Sequence, residues 1–465
     1  MNQFERPLSR RQLLRYTAGS LAAASFAPFA AACGGDDEES TGAGDTGTGA
    51  ATPGNLKMWW WGEQEAVGIK KWVDDTVATF KEQQGSTVKA TLLDTDAVIP
   101  QFTEAAAAGN VPDVQFLFNG IYHMENVWLG YLDPLNDLVD ADVLENSNAT
   151  QLSVFEGKQY RVGFYPVGFG LSYNRDIFEQ AGLDPDSPPE DWDSFVDACD
   201  KLKAKGVIPI GGGVKDGYLG EWYLVNTLTQ NLDSAQDALS LFIGDLDWRD
   251  PKYHEHWVKL EELKKAGYFN DDIGSVELYQ GIQLYDTGKA AMCFNTTPSI
   301  PNSQKQLGAE KVGYMVMPTF GTGAMAGIPI TDTQGFGIPS KAADKANAAA
   351  FLEFMHSDER VNAMWELSTQ IPANKTFDAS AIEDPLLKTI DEKWVAGDTN
   401  VYIADLMPTL FWTDAMFVNS QKILNGESTG EQAGEVAAEV TAKWKKQNPD
   451  LLENYKKWGA DLAEA

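Results

Sequence analysis

The sequence is poor in positive charge, cysteine and histidine, and each shortage excludes a class of function. Its 465 residues contain 36 Lys and Arg against 68 Asp and Glu, with three Cys and four His. Phosphate backbones are bound by concentrated Lys and Arg, so nucleic acid is not expected as a partner. Three cysteines cannot form a disulfide scaffold, and four histidines leave little for metal binding or acid–base catalysis. The 43% hydrophobic residues predict instead a globular body with at least two lobes.

The first 54 residues are predicted to direct export rather than to fold. Within residues 1–32 a pair of arginines precedes a short Ala-rich apolar run, which resembles a twin-arginine signal peptide. The run ends at Cys33 in a sequence that resembles a lipoprotein processing site, although Ala30 stands where Leu is usual. Ordinary cleavage before the cysteine is the alternative. Residues 33–54 would then be a lipid-anchor cysteine followed by a flexible polar linker.

Loss of this signal peptide would make the chain more acidic. Residues 1–32 contain four Arg and one Glu, so the net charge would change from −32 to −35. The mature protein is expected at the extracytoplasmic face of the cell membrane, held there by the lipid on Cys33.

Beyond the linker, apolar stretches of strand length alternate with amphipathic stretches of helical period. This alternation predicts an α/β fold with a parallel-type sheet, helices on both faces, and a binding site beyond the carboxyl ends of the strands. The predicted strands are Leu56–Trp61, Thr87–Leu93, Val114–Phe118, Val207–Gly211, Ala290–Asn295 and Val312–Met317. The predicted helices are Ile69–Gln84, Pro100–Ala108, Trp192–Lys205, Tyr253–Ala266, Lys341–His356 and Glu431–Lys446.

A series of short motifs indicates a family. They are Gly109–Val114, Gly130–Leu135, Tyr165–Pro166, Leu171–Asp176, Gly288–Met292, Pro318–Phe320, Gly335–Ile338, Leu352–Phe354 and Ile371–Asn374. In this order and spacing the chain resembles the family 1 extracellular solute-binding proteins of ABC importers, the group that contains maltose-binding protein. The resemblance implies a periplasmic-binding-protein type II fold, in which two α/β lobes joined by several hinge crossings close on a ligand cleft. It implies an N-terminal lobe of residues 55–167 plus 312–370 and a C-terminal lobe of residues 168–311 plus 371–465.

A sugar site needs aromatic platforms for flat C–H faces, and carboxylates or amides for hydroxyls. The ends of the first three strands offer such side chains at the expected edge of the cleft, namely Trp61, Glu63, Asp96 and Asn119. The resemblance adds residues from segments that contact ligand in relatives, namely Trp222, Tyr223, Asn295, Gln334 and Trp412. For each of these residues, half-buried packing is the alternative role.

Motifs that suggest chemistry have structural explanations. The stretch from Gly426 to Gly430 matches a Gly-x-Ser-x-Gly nucleophile elbow, but its context predicts a capping box at the start of a helix. His254 and His256 are two residues apart in a predicted helix, so they point to different faces and make a poor metal pair. Cys199 and Cys293 are predicted to be buried thiols, with a disulfide between them as the alternative.

The function predicted by the resemblance is capture of a neutral mono- or oligosaccharide by hinge closure and delivery to an ABC permease. The protein is expected to act as a monomer, without catalytic residues, metal or cofactor. The loops that carry the candidate residues contain few Arg or Lys, which argues against a phosphorylated ligand. An exported carbohydrate-active enzyme and a binding protein for a polyol or polyamine remain alternatives. Four or more carboxylates in an aromatic cleft would favour the polyamine.

Overall fold

Residues 52–118 and 121–464 are described by the computed structural model. The signal peptide, Cys33 and nearly all of the linker lie outside these residues, and so does Asn119. The strands are β1 Asn55–Trp60, β2 Thr87–Leu92, β3 Val114–Leu117, β4 Val154–Phe155, β5 Lys158–Gln159, β6 Val162–Asn174, β7 Ile208–Gly211, β8 Ala290–Thr296, β9 Val312–Met315, β10 Ile330–Gly337 and β11 Asn400–Val401.

Eighteen α-helices surround these strands in the described part of the chain. They are α1 Ile69–Gln84, α2 Thr95–Ala108, α3 Ile121–Trp128, α4 Ala141–Asn146, α5 Arg175–Gln180, α6 Trp192–Ala204, α7 Tyr218–Leu228, α8 Ala235–Phe242, α9 Pro251–Lys265, α10 Leu278–Asp286, α11 Ile300–Leu307, α12 Lys345–Met355, α13 Asp358–Ser368, α14 Pro385–Ile390, α15 Thr409–Phe411, α16 Val418–Leu424, α17 Gly430–Gln447 and α18 Pro449–Glu464. Residues Trp412–Phe417, between α15 and α16, form a π-helical segment. None of the described helices is long and apolar enough to cross a bilayer.

The main sheet is mixed rather than parallel. Its strand order is β2-β1-β3-β10-β6-β8-β7, with β11 beside β10 and β9 beside β6. β1 runs parallel to β2 and β3, and β7 runs parallel to β8, as predicted. β10 and β6 are antiparallel to each other and to their other long neighbours, so the parallel prediction is wrong for the centre of the sheet. The prediction was based on strand–helix pairs that are adjacent in the sequence, and such pairs give parallel strands. β10 follows β6 by more than a hundred residues in the chain and inserts between β3 and β6.

β6 connects the two halves of the sheet. Its 13 residues are all buried, and its first part, Val162–Phe169, pairs with β10. Its second part, from Phe169 to Asn174, pairs with β8 and β9. One continuous strand therefore contributes to two α/β groups, and the predicted α/β class is confirmed.

The helix at the second strand end begins earlier than predicted. The prediction started this helix at Pro100. α2 instead begins at Thr95 and contains Pro100 in its second turn. Asp96 therefore lies in the first turn of this helix, directly after the carboxyl end of β2. This position brings Asp96 to the edge of the sheet where a ligand is expected.

The elbow-like match and the two cysteines have the structural roles predicted for them. Thr429 and Gln432 form a capping box at the start of α17, so the elbow-like match begins a helix. Cys199 and Cys293 are buried free thiols. His254 and His256 belong to α9, and burial lowers the pKa of His256 to about 3. The described residues contain no group of three or more metal-ligating side chains arranged to hold an ion.

Candidate ligand-binding cleft

A cavity of about 580 Å³, here called the cleft, opens where several strands and helices end. Its volume lies within the range of about 300–1,000 Å³ that is usual for small-molecule sites. We call the lining residues from Trp61 to Leu129, together with Gln334 of β10, the first wall of the cleft. The second wall consists of the lining residues from β6, α7 and α10, and those from 402 to 417.

Trp61 is the main aromatic residue of the first wall. It directly follows β1, is 4% exposed, and lies with its ring centroid 4.9 Å from that of Phe118, which follows β3. The indole Nε1 donates a hydrogen bond of 2.9 Å to Thr95 Oγ1 at the start of α2. The carboxyl ends of β1 and β3 and the start of α2 therefore meet around one indole.

Glu65 is a buried carboxyl group at the inner end of the first wall. Tyr165 Oη donates to Glu65 Oε2 over 3.1 Å, and Gln334 Nε2 donates to the same oxygen over 3.4 Å. Burial raises the pKa of Glu65 to about 7, because the charged form loses its hydration. Gln334 Oε1 is buried and has no hydrogen-bond partner in the described residues.

The second wall carries two groups of aromatic rings. In one group, Phe169 stacks on Tyr402 with centroids 4.2 Å apart, and its centroid is 6.1 Å from that of Trp222. Trp222 lies edge-on to Tyr279, at 6.2 Å. In the other group, the centroids of Tyr218 and Phe417 lie 5.8 Å and 3.9 Å from that of Trp412. Such rings present flat apolar faces to a ligand.

Glu221 links these two groups. It lies on α7, and its Oε1 accepts a short hydrogen bond from Tyr402 Oη. Its Oε2 accepts one from Trp412 Nε1 at 2.5 Å. Burial raises the pKa of Glu221 to about 7, while the two donors act in the opposite direction. The carboxyl group of Glu221 thus orients one aromatic ring, Tyr402 or Trp412, in each of the two ring clusters.

Hydrogen bonds also join the two walls directly. Tyr218 Oη donates to Asp96 Oδ1 over 3.2 Å. The Thr409 backbone N–H donates to Glu125 Oε1 over 3.3 Å, and the Thr409 hydroxyl donates to Glu125 Oε2. The two walls are therefore in contact in this conformation.

The lining is acidic and contains no Lys, Arg or His among the described residues. Asp96 and Glu104 are exposed carboxylates at the opening of the cleft. Deeper in the cleft, burial and the neighbouring Asp332 carboxylate raise the pKa of Asp405. The complete set of lining carboxyl groups is Glu65, Asp96, Glu104, Glu125, Glu221 and Asp405.

Five of the nine site residues predicted from the sequence line the cleft. They are Trp61 and Asp96 at strand ends, Gln334 on β10, Trp222 on α7, and Trp412 in the π-helical segment. Asn119 lies outside the described residues.

The other three predicted residues lie away from the cleft. The Glu63 carboxylate accepts the backbone N–H groups of Gly68 and Lys70 at the start of α1, because the chain turns at Gly62 with φ 140°. Tyr223 Oη donates to the His256 carbonyl in the core. Asn295 Nδ2 donates to Ser172 Oγ on the adjacent strand β6.

Sequence reasoning missed Glu221, Tyr218 and Glu65. Helical spacing could have found the first two, because Tyr218, Glu221 and Trp222 stand at positions i, i+3 and i+4 and share a face of α7. The prediction chose the neighbours Trp222 and Tyr223 instead, although adjacent helical residues diverge. No local signal identified Tyr402, Tyr279 or Phe169, which reach the cleft from distant parts of the chain.

The fold and the cleft together define a two-lobed α/β binding protein. The sequence profile of the bacterial extracellular solute-binding proteins matches residues 75–389. That match covers more than half of the chain, and the chain belongs to this family. The relationship was anticipated by the motif resemblance, and the family is one of binding proteins.

Curated relatives match over a shorter stretch. The chain is 30% identical over 135 residues to the sn-glycerol-3-phosphate-binding periplasmic protein UgpB of Shigella dysenteriae serotype 1. The same identity and length hold for UgpB of Escherichia coli K12. In both cases the aligned segment spans 28% of this chain and 30% of the relative.

Solved structures match over the whole body. A chitin oligosaccharide binding protein superposes with a TM-score of 0.75 at 24% identity, covering 84% of this chain and 99% of the other. RafE in complex with raffinose gives 0.68 at 19% identity, covering 84% and 99%. A sugar transporter from Bacillus licheniformis in complex with stachyose gives 0.66 at 19% identity, with the same coverage. These similarities establish the periplasmic-binding-protein type II fold that the motifs predicted.

Proposed function

We propose that this protein is the extracytoplasmic receptor of an ABC importer and captures a neutral mono- or oligosaccharide in the cleft. The observation that carries this proposal is the lining itself: nine aromatic side chains, carboxyl and amide groups, and no basic residue among the described ones. The aromatic residues are Trp61, Phe118, Phe169, Tyr218, Trp222, Tyr279, Tyr402, Trp412 and Phe417. Similar folds that hold chitin oligosaccharide, raffinose and stachyose support the same ligand class.

The lining argues against an anionic ligand. A phosphate group needs Arg or Lys, or exposed N–H groups at a helix start, to offset its desolvation. The described lining offers six carboxyl groups and no cation. Helix starts also reach the lining, but Asp96 and Glu221 stand in the first turns of α2 and α7. The Leu278 and Thr409 N–H groups at the starts of α10 and α15 already donate to Asp216 and Glu125. The ligand in the name of the UgpB relatives would meet repulsion in this cleft.

The lobe boundaries predicted from the sequence support a closure mechanism. All first-wall residues fall within residues 55–167 and 312–370, the predicted N-terminal lobe. All second-wall residues fall within residues 168–311 and 371–465, the predicted C-terminal lobe. A ligand that touches both walls therefore stabilises the closed arrangement, which a permease can then recognise. Function in this scheme is binding and release, without catalysis.

The anchor completes the proposal. Lipid on Cys33 and the linker up to residue 54 would hold a monomeric receptor near its permease while leaving both lobes free to close. A substitution of Cys33 by Ser is expected to move the protein from the membrane fraction to the soluble exported fraction. Retention in the membrane fraction would contradict the lipid anchor.

A thermal-shift screen of the mature protein tests the ligand class. Mono- and oligosaccharides are expected to raise the melting temperature, because a ligand at 100 times its Kd adds about 2.7 kcal/mol of stability. Glycerol 3-phosphate is expected to give no shift. Trp412→Ala should reduce the shift clearly, whereas Trp365→Ala, at a half-buried tryptophan outside the cleft lining, should preserve it. The absence of a shift with every carbohydrate would refute the proposal.

A further inference from the structure

The acidity of the cleft exceeds what hydroxyl recognition requires. Hydroxyl groups can be held by amides, which carry no charge, whereas a carboxylate placed in a cavity loses hydration. Six carboxyl groups line this cavity and no cation among the described lining residues balances them. Burial raises the pKa of Glu65, Glu125, Glu221 and Asp405, so an approaching cation favours the ionised form of each group. The carboxylates then focus a negative potential on that cation within low-dielectric walls.

Gln334 adds an unpaired hydrogen-bond acceptor to this acidic lining. Gln334 is 4% exposed and lines the cleft, and its Oε1 has no hydrogen-bond partner in the described residues. Its Nε2 already donates to Glu65. This corner of the cleft therefore presents acceptors and needs a donor from the ligand. An ammonium group offers three donors and no acceptor, whereas a hydroxyl offers one donor.

The aromatic rings of the second wall favour the same kind of group. Trp222 and Tyr279 lie edge-on to each other, and Tyr402 stacks on Phe169. Cations are attracted to the faces of Trp and Tyr, and this attraction grows when water is excluded. Aromatic rings and carboxyl groups both line the cleft, so a cation within it would meet both.

We propose that the cleft prefers carbohydrates in which a protonated amine replaces a hydroxyl group over their neutral counterparts. This inference rests on the proposed function, since it refines the ligand class of the same site. Rings on both walls suit the two flat faces of a sugar ring, whereas a linear polyamine has no such faces. The amine would approach Gln334 and Glu65 while the ring stacks on the aromatic side chains.

Titration calorimetry of the mature protein with matched ligand pairs tests this preference. The pairs are glucosamine with glucose, galactosamine with galactose, and the β-1,4 glucosamine trimer with cellotriose, each measured at pH 7 and low salt. The amine member of at least one pair is expected to bind about tenfold more tightly. Added salt should reduce this advantage because it screens charge. Burial raises the pKa of Glu65 and Glu221 to about 7, so amine binding should also release protons.

The outcomes separate this inference from the proposed function. Equal or weaker binding of the amine in every pair would overturn the preference and leave sugar capture intact. Failure of every carbohydrate to bind would overturn both proposals. Spermidine that binds more tightly than every amino sugar would replace the inference with a linear polyamine ligand.

A charge-neutral variant at the opening of the cleft supplies the structural control. Glu104 is exposed and lines the cleft, so Glu104→Gln removes one charge with little effect on folding. The ratio of amine to neutral affinity is expected to fall about threefold. Glu82→Gln makes the same change on the exposed surface of α1, outside the cleft lining, and should leave the ratio unaltered. If Glu104→Gln and Glu82→Gln lowered the ratio equally, the preference for amines would come from the net charge of the protein and not from the cleft, and the inference would be wrong.

Discussion

The two walls of the cleft present similar side chains but are built in different ways. The first wall is formed at strand ends that follow one another closely in the chain, and Trp61 bonds to Thr95 only 34 residues away. The second wall depends on Glu221, whose bond to Trp412 spans 191 residues. Local structure thus determines most of one wall, whereas the other exists only after distant segments have packed together.

The two walls also differ in what their aromatic side chains do. Trp61 is 4% exposed and packs against Phe116 and Phe118, so most of its surface belongs to the core. Trp412 is half-buried, and its ring is oriented by a carboxyl group. We therefore expect substitutions in the first wall to act mainly on stability and those in the second wall mainly on affinity.

The largest effect is expected for Trp61→Ala. Removal of a buried tryptophan leaves a cavity, and the free energy of unfolding should fall by about 3–5 kcal/mol. Urea unfolding monitored by circular dichroism measures this loss. Trp61→Phe keeps one aromatic ring and loses part of the buried volume and the hydrogen bond to Thr95, so its loss of stability should be smaller than that of the alanine variant. A loss below about 1 kcal/mol for the alanine variant would show that Trp61 is a surface platform like Trp412.

A buried carboxyl group in each wall, Glu65 in the first and Glu221 in the second, should make the stability of the protein depend on pH. Burial raises the pKa of Glu65 and of Glu221 from 4.5 to about 7, so each binds its proton more tightly in the folded state. Their stabilising contribution is therefore present below about pH 4.5 and is lost as the pH rises through about 7, by roughly 3 kcal/mol for each group. Urea midpoints at pH 5 and pH 8 measure this loss.

Matched variants assign the loss to each wall. Glu65→Gln and Glu221→Gln should each reduce the pH dependence, because glutamine does not titrate in this range. Glu125, Asp216 and Asp405, whose pKa values burial also raises, contribute to the remainder. Glu82→Gln, at an exposed site on α1, should leave it unchanged. If one cleft variant removed the whole dependence, the carboxyl group of the other wall would have to be ionised throughout the pH range.

The first wall is built from segments close in sequence and the second from distant segments, and this difference explains which site residues the sequence could predict. Trp61 and Asp96 were found because the ends of strands in an α/β sheet define the binding edge. Glu63 was predicted from its place after the first strand, but the turn at Gly62, which sends its carboxylate to the start of α1, has no clear signal in the sequence. The pairing of Glu221 with Trp412 could not be derived, because it depends on two segments meeting in the folded chain.

In the sheet, too, pairings between nearby segments could be predicted from the sequence and pairings between distant segments could not. The parallel strands β1, β2 and β3 are joined by helices, and their local alternation predicted them correctly. The antiparallel insertion of β10 depends on a connection of more than a hundred residues, for which strand and helix patterns carry no information. The family resemblance supplied the two-lobed arrangement that local patterns alone could not specify.

Trp412→Ala should separate affinity from stability. Loss of the stacking surface is expected to weaken sugar binding by about 10- to 30-fold, since an aromatic platform contributes roughly 1.5–2 kcal/mol. The urea midpoint should change little, because the ring is only half-buried. Calorimetry of the best ligand from the screen measures the affinity, with Trp365→Ala as the control. A large loss of stability with unchanged affinity would reverse the roles assigned to the two walls.

The smallest effect is expected where the walls meet. Tyr218→Phe removes the hydroxyl that donates to Asp96 Oδ1, and an exposed hydrogen bond of this kind contributes about 0.5–1 kcal/mol. Because the bond joins the two walls, its loss should favour the open arrangement and weaken ligand binding about two- to fourfold without lowering the melting temperature of the free protein. Asp96→Asn combined with Tyr218→Phe should weaken binding by less than the product of the single effects. Strictly multiplicative effects would mean that Tyr218 and Asp96 contribute to binding independently, and that contact between the walls does not assist closure.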